Sequence, residues 1–410
     1  MAYCNVDISK ENCCLKDIRF STEMLSKHKL QNKSLIFIMT GAYGISGGIA
    51  TVNKNILHAL LTLIENQTIS SLKILSFLES SQYRPSYLPE LVTFKGFSGD
   101  KFLFTLALLN NISTNSLFIF DHVTLALPIL PFSILKLVKT VIFAHGSESW
   151  KRLKLTNKWS FQSASLCLTN SDFTLRKMQS RFSAFKGSSC ILGLSPDFKL
   201  NPQIPYGDNQ PIFLEASDGC QYKLENQVLL LTARLHPGER EKGHYQLVRI
   251  LPRLLEKFPT VQLVFPGDGD DRENLRMCAV KHSVASSVFL PGFVSMEMLE
   301  TLYRCCYAFV MPSKQEGFGL VYLEAMNWAK PCVGCFDDGA EDVILHEKTG
   351  LLIHDPNNEN ELINVLTRLL ENPVEAQSFG KAGFYRLRET FTSQQMQSRF
   401  CDAILEVVSC

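Results

Sequence analysis

The sequence predicts an α/β protein built from two doubly wound domains that face each other across a cleft. Three observations carry that expectation. Strand-like apolar runs alternate with amphipathic helical stretches from residue 34 onward, and the alternation breaks over residues 195–226 before it resumes. The chain has 410 residues, about twice what a single hydrophobic core usually organises. With 46% hydrophobic and 20% charged residues, the composition is that of a globular chain and excludes extended disorder.

Taken in order, residues 1–33 read as an N-terminal extension. "MAYCNVDISKENCCLKDIRF" has no apolar core flanked by basic residues, so no secretory leader is expected. In the first domain, residues 34–205, the strand candidates are 35–39, 73–78, 117–120, 140–145, 166–169 and 189–193, with helical stretches at 49–66 and 171–184. Such alternation implies a mostly parallel sheet covered on both faces. Residues 195–226 hold four prolines and no sustained period; residues 206–226 are assigned as the linker, with a short extra hairpin. In the second domain, residues 227–384, strands are expected at 228–233, 261–267, 288–292, 307–312, 331–336 and 350–353, and helices at 242–257, 272–283, 296–304, 318–328 and 358–371. The stretch 374–408 is helical, and residues 385–410 are expected to cross back onto the first domain. Ligands of such sheets bind at the carboxyl ends of the strands, hence in the cleft.

The longest uninterrupted apolar run, "TLALPILPFSIL", is 12 residues long, too short to span a bilayer, and a cytoplasmic location is expected. Thirteen scattered cysteines, an odd number, suit free thiols in a reducing compartment. "CVGC" at Cys332 and Cys335 has redox or zinc spacing, but it lies in a strand-like run, where cysteine acts as a small hydrophobe. The net charge of +1 hides an asymmetry: residues 1–205 carry 22 Lys+Arg against 12 Asp+Glu, and residues 206–410 carry 19 against 28. A basic half favours an anionic partner: a phosphorylated acceptor, an anionic membrane surface or nucleic acid. Its densest cluster is "KRLKLTNK" at 151–158.

Two stretches carry the chemistry. Residues 36–57, "IFIMTGAYGISGGIATVNKNIL", read as strand, glycine turn and helix, a phosphate cradle in outline. Glycines 41, 44, 47 and 48 miss the dinucleotide spacing, and Glu79 lies too far along to hold a nicotinamide-cofactor ribose, so an oxidoreductase is disfavoured. The second stretch is "MPSKQEGFGLVYLEAMNWAKP" at 311–331: a strand end, Ser313 placed to cap, and a helix starting near Gly317–Phe318. Glu316 precedes the helix and Glu324 follows eight residues later, roughly 12 Å along its axis. Free amides at the helix N-terminus lie between the two carboxylates, suiting a ligand with hydroxyls at both ends and phosphates between. On spacing alone, a dipole-favoured glutamate plus an unrelated surface glutamate is an equal reading. Asp268–Asp270, "DGD", imitates a metal-binding pair but reads as a turn.

"PSKQEGFGLVYLEAM", with "TARLHPGEREKGHYQLVRILPRLLEKFP", "VFPGDGDDRENL", "VFLPGFVSMEMLETLYRCC" and "EDVILHEKTGLLI", resembles the family 4 retaining glycosyltransferases of the GT-B fold. The likeness is strong over about 227–390. It is weaker in "SGGIATVNKNIL", "AHGSESWKRL" and "TNSDFTLRKM". The resemblance implies that Arg234 and Lys242 hold the donor diphosphate and that Glu316 contacts the transferred sugar. It further implies that amides of Phe318, Gly319 and Leu320 lie beside sugar and phosphate, and that Glu324 holds the ribose. His145 would face the reacting centre, and Gly47 and Gly48 would approach the phosphates from across the cleft. The implied partner is a nucleotide-sugar donor, UDP- or GDP-linked. The basic first half suggests a surface-glycan or lipid-linked acceptor and, with it, peripheral attachment to the inner membrane face; no nucleic acid is expected. No cofactor and no metal are expected. Two departures stand out: Ala329–Lys330 before Pro331, and Asp338–Gly339 where the family has a double glycine, beside the donor. Rival readings are a sugar-nucleotide epimerase and a non-catalytic sugar-nucleotide-binding protein on the same fold.

Overall fold

The computed structural model describes residues 34–43, 47–150, 153–182, 185–204, 212–215 and 221–409. The first sheet has seven parallel strands: β1 (Ser34–Met39), β2 (Ser71–Ser76), β3 (Thr93–Gly96), β4 (Ser116–Phe120), β5 (Lys139–Ala144), β6 (Leu166–Thr169) and β7 (Gly187–Ser189), in the order β3-β2-β1-β4-β5-β6-β7. A two-stranded antiparallel hairpin, β8 (Ile212–Glu215) with β9 (Gln221–Leu224), follows where the prolines interrupt the pattern. The second sheet is also parallel: β10 (Gln227–Leu230), β11 (Val261–Pro266), β12 (Val288–Gly292), β13 (Ala308–Val310), β14 (Cys332–Cys335) and β15 (Gly350–Ile353), ordered β12-β11-β10-β13-β14-β15. In each sheet the order reverses beside the first strand in sequence, which opens the crevice that doubly wound sheets use for ligands.

Strands β4, β11 and β14 are buried along their whole length, as continuous apolar runs between two helical layers must be. Cys332 and Cys335 belong to β14 as free, buried thiols, so "CVGC" is core. β3 escapes the apolar pattern: "TFKG" is a four-residue edge strand with Thr93 and Lys95 exposed. β7 lies ahead of the expected 189–193, because the chain leaves the sheet after Ser189 and runs on to meet the C-terminal segment through Leu194 N–H to the Phe391 carbonyl, 3.1 Å.

Helix starts follow side-chain caps at Asp100, Ser171, Ser295 and Asn358. The helix expected over 318–328 begins later, as Leu320–Asn327, because Gly319 takes the left-handed conformation at φ 90°. Ser313 does not cap it: the hydroxyl accepts instead from the Gln315 amide. The C-terminal region forms the helices Pro373–Thr390 and Ser393–Ser409, and the second packs along Gly48–Glu65 of the first domain. Ser393 Oγ donates to Asn55 Oδ1 at 2.6 Å, and Cys401 Sγ reaches the Ala59 carbonyl at 3.5 Å. This strap ties the chain end to the first sheet. Ile404 is fully buried in it, so Ile404→Ala should cost about 2–4 kcal/mol, read as a lower denaturation midpoint at unchanged slope.

Candidate active site

On the first-domain side, two buried carboxylates set the loop after β1. Glu79 Oε1 accepts the amides of Ala42 at 2.6 Å and Tyr43 at 2.8 Å. Asp121, at the end of β4, accepts the Thr40 amide and Asn53 Nδ2, each at 2.6 Å. Burial pushes the Asp121 carboxyl up from its ordinary range, opposed by those donors and by His145. Glu79, too distant for a cofactor ribose in the sequence reading, is an anchor of the loop. Gly47 sits at φ 111°, ahead of the helix Gly48–Glu65, and Gly48 lies against Leu320 across the cleft. Gly44, with residues 45 and 46, lies outside the described residues, as do Lys151 and Arg152 of the basic cluster.

His145 follows β5, and its Nε2–H donates to the Asp121 carbonyl at 2.6 Å. A carbonyl only accepts, so in the neutral ring Nδ1 is the basic nitrogen. The His145 carbonyl takes the Asn170 side-chain amide and lies against Gly317 of the second domain.

On the second-domain side, Arg234 is 81% exposed, with Nη2 at 2.5 Å from Glu239 Oε1. Lys242 Nζ donates to Glu316 Oε2, and both side chains are about four-fifths buried. Burial alone would lower the Lys242 pKa; the facing Glu316 carboxylate outweighs it, and the net shift is upward. The backbone turns at Gly243, φ 106°, where any side chain would strike Pro312. Glu316 stands in the loop before Leu320–Asn327, and the first-turn amides of that helix, with those of Phe318 and Gly319 ahead of it, border the same loop. Phe318 turns its ring into the core against Phe391, leaving only backbone for a ligand.

Glu324 lies inside that helix and accepts from Tyr303 Oη at 2.8 Å, which itself meets Thr232 Oγ1 at 2.9 Å. Burial pushes the Glu324 carboxyl up to about 7, partly offset by Tyr303. The two glutamates therefore have different settings: Glu316 faces a cation, and Glu324 a hydroxyl.

Asp338 is the residue whose burial the sequence did not foretell. It is fully buried, Oδ1 accepts the Gly339 amide at 2.8 Å, and Oδ2 has no side-chain or backbone hydrogen-bond partner among the described residues. Burial, then the neighbouring Glu316 charge, push its carboxyl up to about 8. Also unforeseen are Ser171 and Thr174, whose hydroxyls reach the Gly317 carbonyl at 2.6 and 3.4 Å, and Asp342, which accepts the Phe173 amide at 2.8 Å. In the sequence Ser171 and Thr174 lie in "TNSDFTLRKM" and Asp342 in "EDVILHEKTGLLI", stretches noted there for their family likeness and not for these side chains. Asp268 and Asp270 lie in a turn around Gly269 packed on Leu235, and among the described residues no group of three His, Cys, Asp or Glu side chains is arranged to hold a metal.

Two facing doubly wound sheets, closed by a C-terminal strap, superpose on sucrose-phosphate synthase of Thermosynechococcus elongatus with a TM-score of 0.69 at 17% identity, over 91% of this chain and 98% of that one. Anabaena HepE in complex with UDP and glucose gives 0.68 at 17% identity, over 91% and 100%. The fold is GT-B. Residues 223–386 match the family model described as glycosyl transferases group 1. The GDP-mannose-dependent alpha-(1-6)-phosphatidylinositol monomannoside mannosyltransferase of Mycolicibacterium smegmatis is 30% identical over 220 residues, 52% of this chain. The match spans about half of that relative, 55% of its length. In this GT-B frame, Arg234, Lys242, Glu316, Glu324 and Asp338 all fall within the matched segment, whereas His145, Gly47 and Gly48 precede it.

The buried titrating groups predict the pH dependence of stability. Asp338 holds its proton to about 8 when folded but ionises near 3.8 when unfolded, so its contribution is present at low pH and lost as pH rises through 8. His244, driven to about 3 by burial, acts oppositely: its contribution is present above pH 6.5 and lost as pH falls below it. The two slopes oppose each other from about 3.8 to 6.5, and Asp338 acts unopposed from 6.5 to about 8. Thermal melts of the ligand-free protein should therefore fall over pH 6.5–8, and Asp338→Asn should flatten that alkaline arm. A melting temperature that climbs steadily to pH 8.5 would contradict the assignment.

Proposed function

We propose that this protein is a retaining glycosyltransferase. It transfers a hexose-type sugar from a UDP- or GDP-sugar to a lipid-linked or surface-glycan acceptor. The observation that carries the reading is the Lys242–Glu316 pair beside the N-terminus of helix Leu320–Asn327, with Gly48 opposite. A diphosphate entering there meets first-turn amides and an ammonium, while the carboxylate it displaces turns to sugar hydroxyls. Arg234, 81% exposed and paired with a mostly buried Glu239, adds a second cation whose solvent-facing side is open to phosphate. Glu324, with Tyr303 behind it, holds the ribose hydroxyls.

The glycosidic bond breaks towards the β-phosphate oxygen, whose growing charge Arg234 and Lys242 stabilise. The acceptor hydroxyl attacks from the face the diphosphate leaves, forming the new bond, and its proton passes to that phosphate oxygen. His145 lines the face on which this occurs, held by Asp121. Chemistry of this kind asks for no cofactor and no metal ion. The donor choice draws on HepE, solved with UDP and glucose, and on the GDP-mannose-dependent relative. A lipid-linked acceptor is consistent with that relative's phosphatidylinositol monomannoside and with the basic first half of this chain.

A panel of nucleotide-sugars screened by thermal shift, followed by assay of released nucleotide with and without acceptor, identifies the donor. It also separates transfer from epimerisation, which needs no acceptor. Glu316→Gln and Arg234→Ala should each lower transfer by about 10²–10³-fold while the fold persists. Transfer by either variant at the native rate would sink the assignment. EDTA should leave the rate unchanged, and loss restored by Mg²⁺ or Mn²⁺ would overturn the metal-free chemistry.

A further inference from the structure

One face of the first sheet carries helices Gly48–Glu65 and Ser393–Ser409, and the other carries a layer with a different surface. In that layer, helix Lys101–Leu109 packs on the 3-10 segment Val123–Ile129, which in turn touches helices Leu130–Ile134 and Leu155–Ser163. Its inward side is ordinary core, with Phe104, Leu108, Ile129 and Phe161 buried. Its outward side is also apolar. Phe102 is 71% exposed and Leu106 follows it one turn on; Leu135 is 68% exposed in the next connection, and Leu155 and Trp159, at 67% and 49%, share one face of the last helix. A monomer rarely leaves so much large apolar surface on adjoining elements without a partner.

Charge selects the partner. Residues 101–163 contain seven Lys+Arg against two Asp+Glu, and one of those two, Asp121, is fully buried. Lys139 donates to the Val407 carbonyl of the C-terminal helix, and Lys151 and Arg152 lie outside the described residues, which leaves Lys101, Lys136, Lys154 and Lys158 for this layer. Lys101 and Lys158 are exposed on the same two helices as the apolar side chains, and Lys154 is exposed at the N-cap of the second. Residues 1–33 would be poor cover, since they carry six basic against four acidic residues. A second copy of this face would set lysine against lysine. Apolar side chains, an amphipathic tryptophan and a basic rim together match the interface of an anionic bilayer.

We propose that the outer surface of helices Lys101–Leu109 and Leu155–Ser163, with the turn at Leu135, is a docking face for anionic lipid membranes. Phe102, Leu106, Leu135, Leu155 and Trp159 enter the headgroup boundary, and the lysines meet lipid phosphates. Helix Leu155–Ser163 begins ten residues after His145, so the face lies on the domain that would receive the acceptor. The proposal stands apart from the sugar chemistry, and its test uses no sugar.

The full chain is sedimented with vesicles of phosphatidylcholine alone or mixed with phosphatidylglycerol. It should pellet with the mixed vesicles at low salt, release as salt is raised, and shift Trp159 fluorescence to the blue. Lys154→Ala with Lys158→Ala should weaken binding about 25-fold, at about fivefold per charge. Leu135→Glu with Trp159→Glu should abolish binding while the melting temperature and circular dichroism stay native, since both residues are exposed. A native chain that stays in solution with mixed vesicles at low salt overturns the proposal. So does a vesicle-free dimer that the glutamate pair dissociates, which would make the face an interface between copies. Shielding of Phe102 and Trp159 from hydroxyl-radical labelling in the vesicle-free monomer would assign the face to another segment of this chain, with the same effect.

Discussion

Gly317 is where the two sheets are locked together, and the arrangement of the site follows from it. Its carbonyl accepts from Ser171 and Thr174, and a Cβ at this position would stand 2.1 Å from the His145 carbonyl. The neighbouring glycines tighten the same junction: Gly146 presses on Gly317 from the first domain, and Gly339 presses on it from within the second. Three adjoining positions without side chains let two backbones from one domain and one from the other approach to van der Waals contact. Only then do Glu316, His145 and the mouth of helix Leu320–Asn327 share one crevice. Larger residues there would wedge the sheets apart before altering any ligand contact.

That closeness has an electrostatic consequence. Each cation of the crevice has a carboxylate of its own: Glu239 for Arg234 and Glu316 for Lys242. Under the proposed reading a diphosphate would therefore replace existing pairs rather than meet bare charge. The two exchanges differ in kind. Arg234 is largely in water at 81% exposure while Glu239 is only 24% exposed, so that pair is screened from the arginine side alone. Lys242 and Glu316 are largely out of water, where separating the pair leaves a carboxylate that must find donors at once. Sugar hydroxyls are such donors, so on that reading recognition of phosphate by Lys242 and of sugar by Glu316 would be one coupled event.

Much of this was legible in the sequence, for physical reasons. Fully buried parallel strands must be continuous apolar runs, so β1, β4, β11 and β15 stood out, and β12 and β6 matched to the residue. Short edge strands need not be apolar, and β3 passed unnoticed. The Glu316–Glu324 segment stood out through its likeness to a family motif, because its spacing alone fitted an unrelated surface glutamate equally well. What was not legible is non-local. Nothing near Asp338 announces that its second oxygen will be buried without a partner among the described residues, and nothing near Ser171 shows that its hydroxyl will hold a carbonyl 146 residues away. The late start of helix Leu320–Asn327 has the same origin, since Gly319 turns left-handed at the interface Gly317 and Gly339 have made.

Asp338 completes the charge argument. If Lys242 turned to phosphate as proposed, Glu316 and Asp338 would be left as neighbouring carboxyls largely out of water, and two negative charges there would repel each other and an incoming diphosphate. A proton on Asp338 removes that conflict: the crevice then carries one carboxylate, on Glu316, and one neutral acid able to donate a hydrogen bond. A double glycine at this position would offer backbone alone. Asp338–Gly339 keeps the glycine that the Gly317 junction requires and changes only the residue before it, adding a polar group without moving the backbone that closes the site.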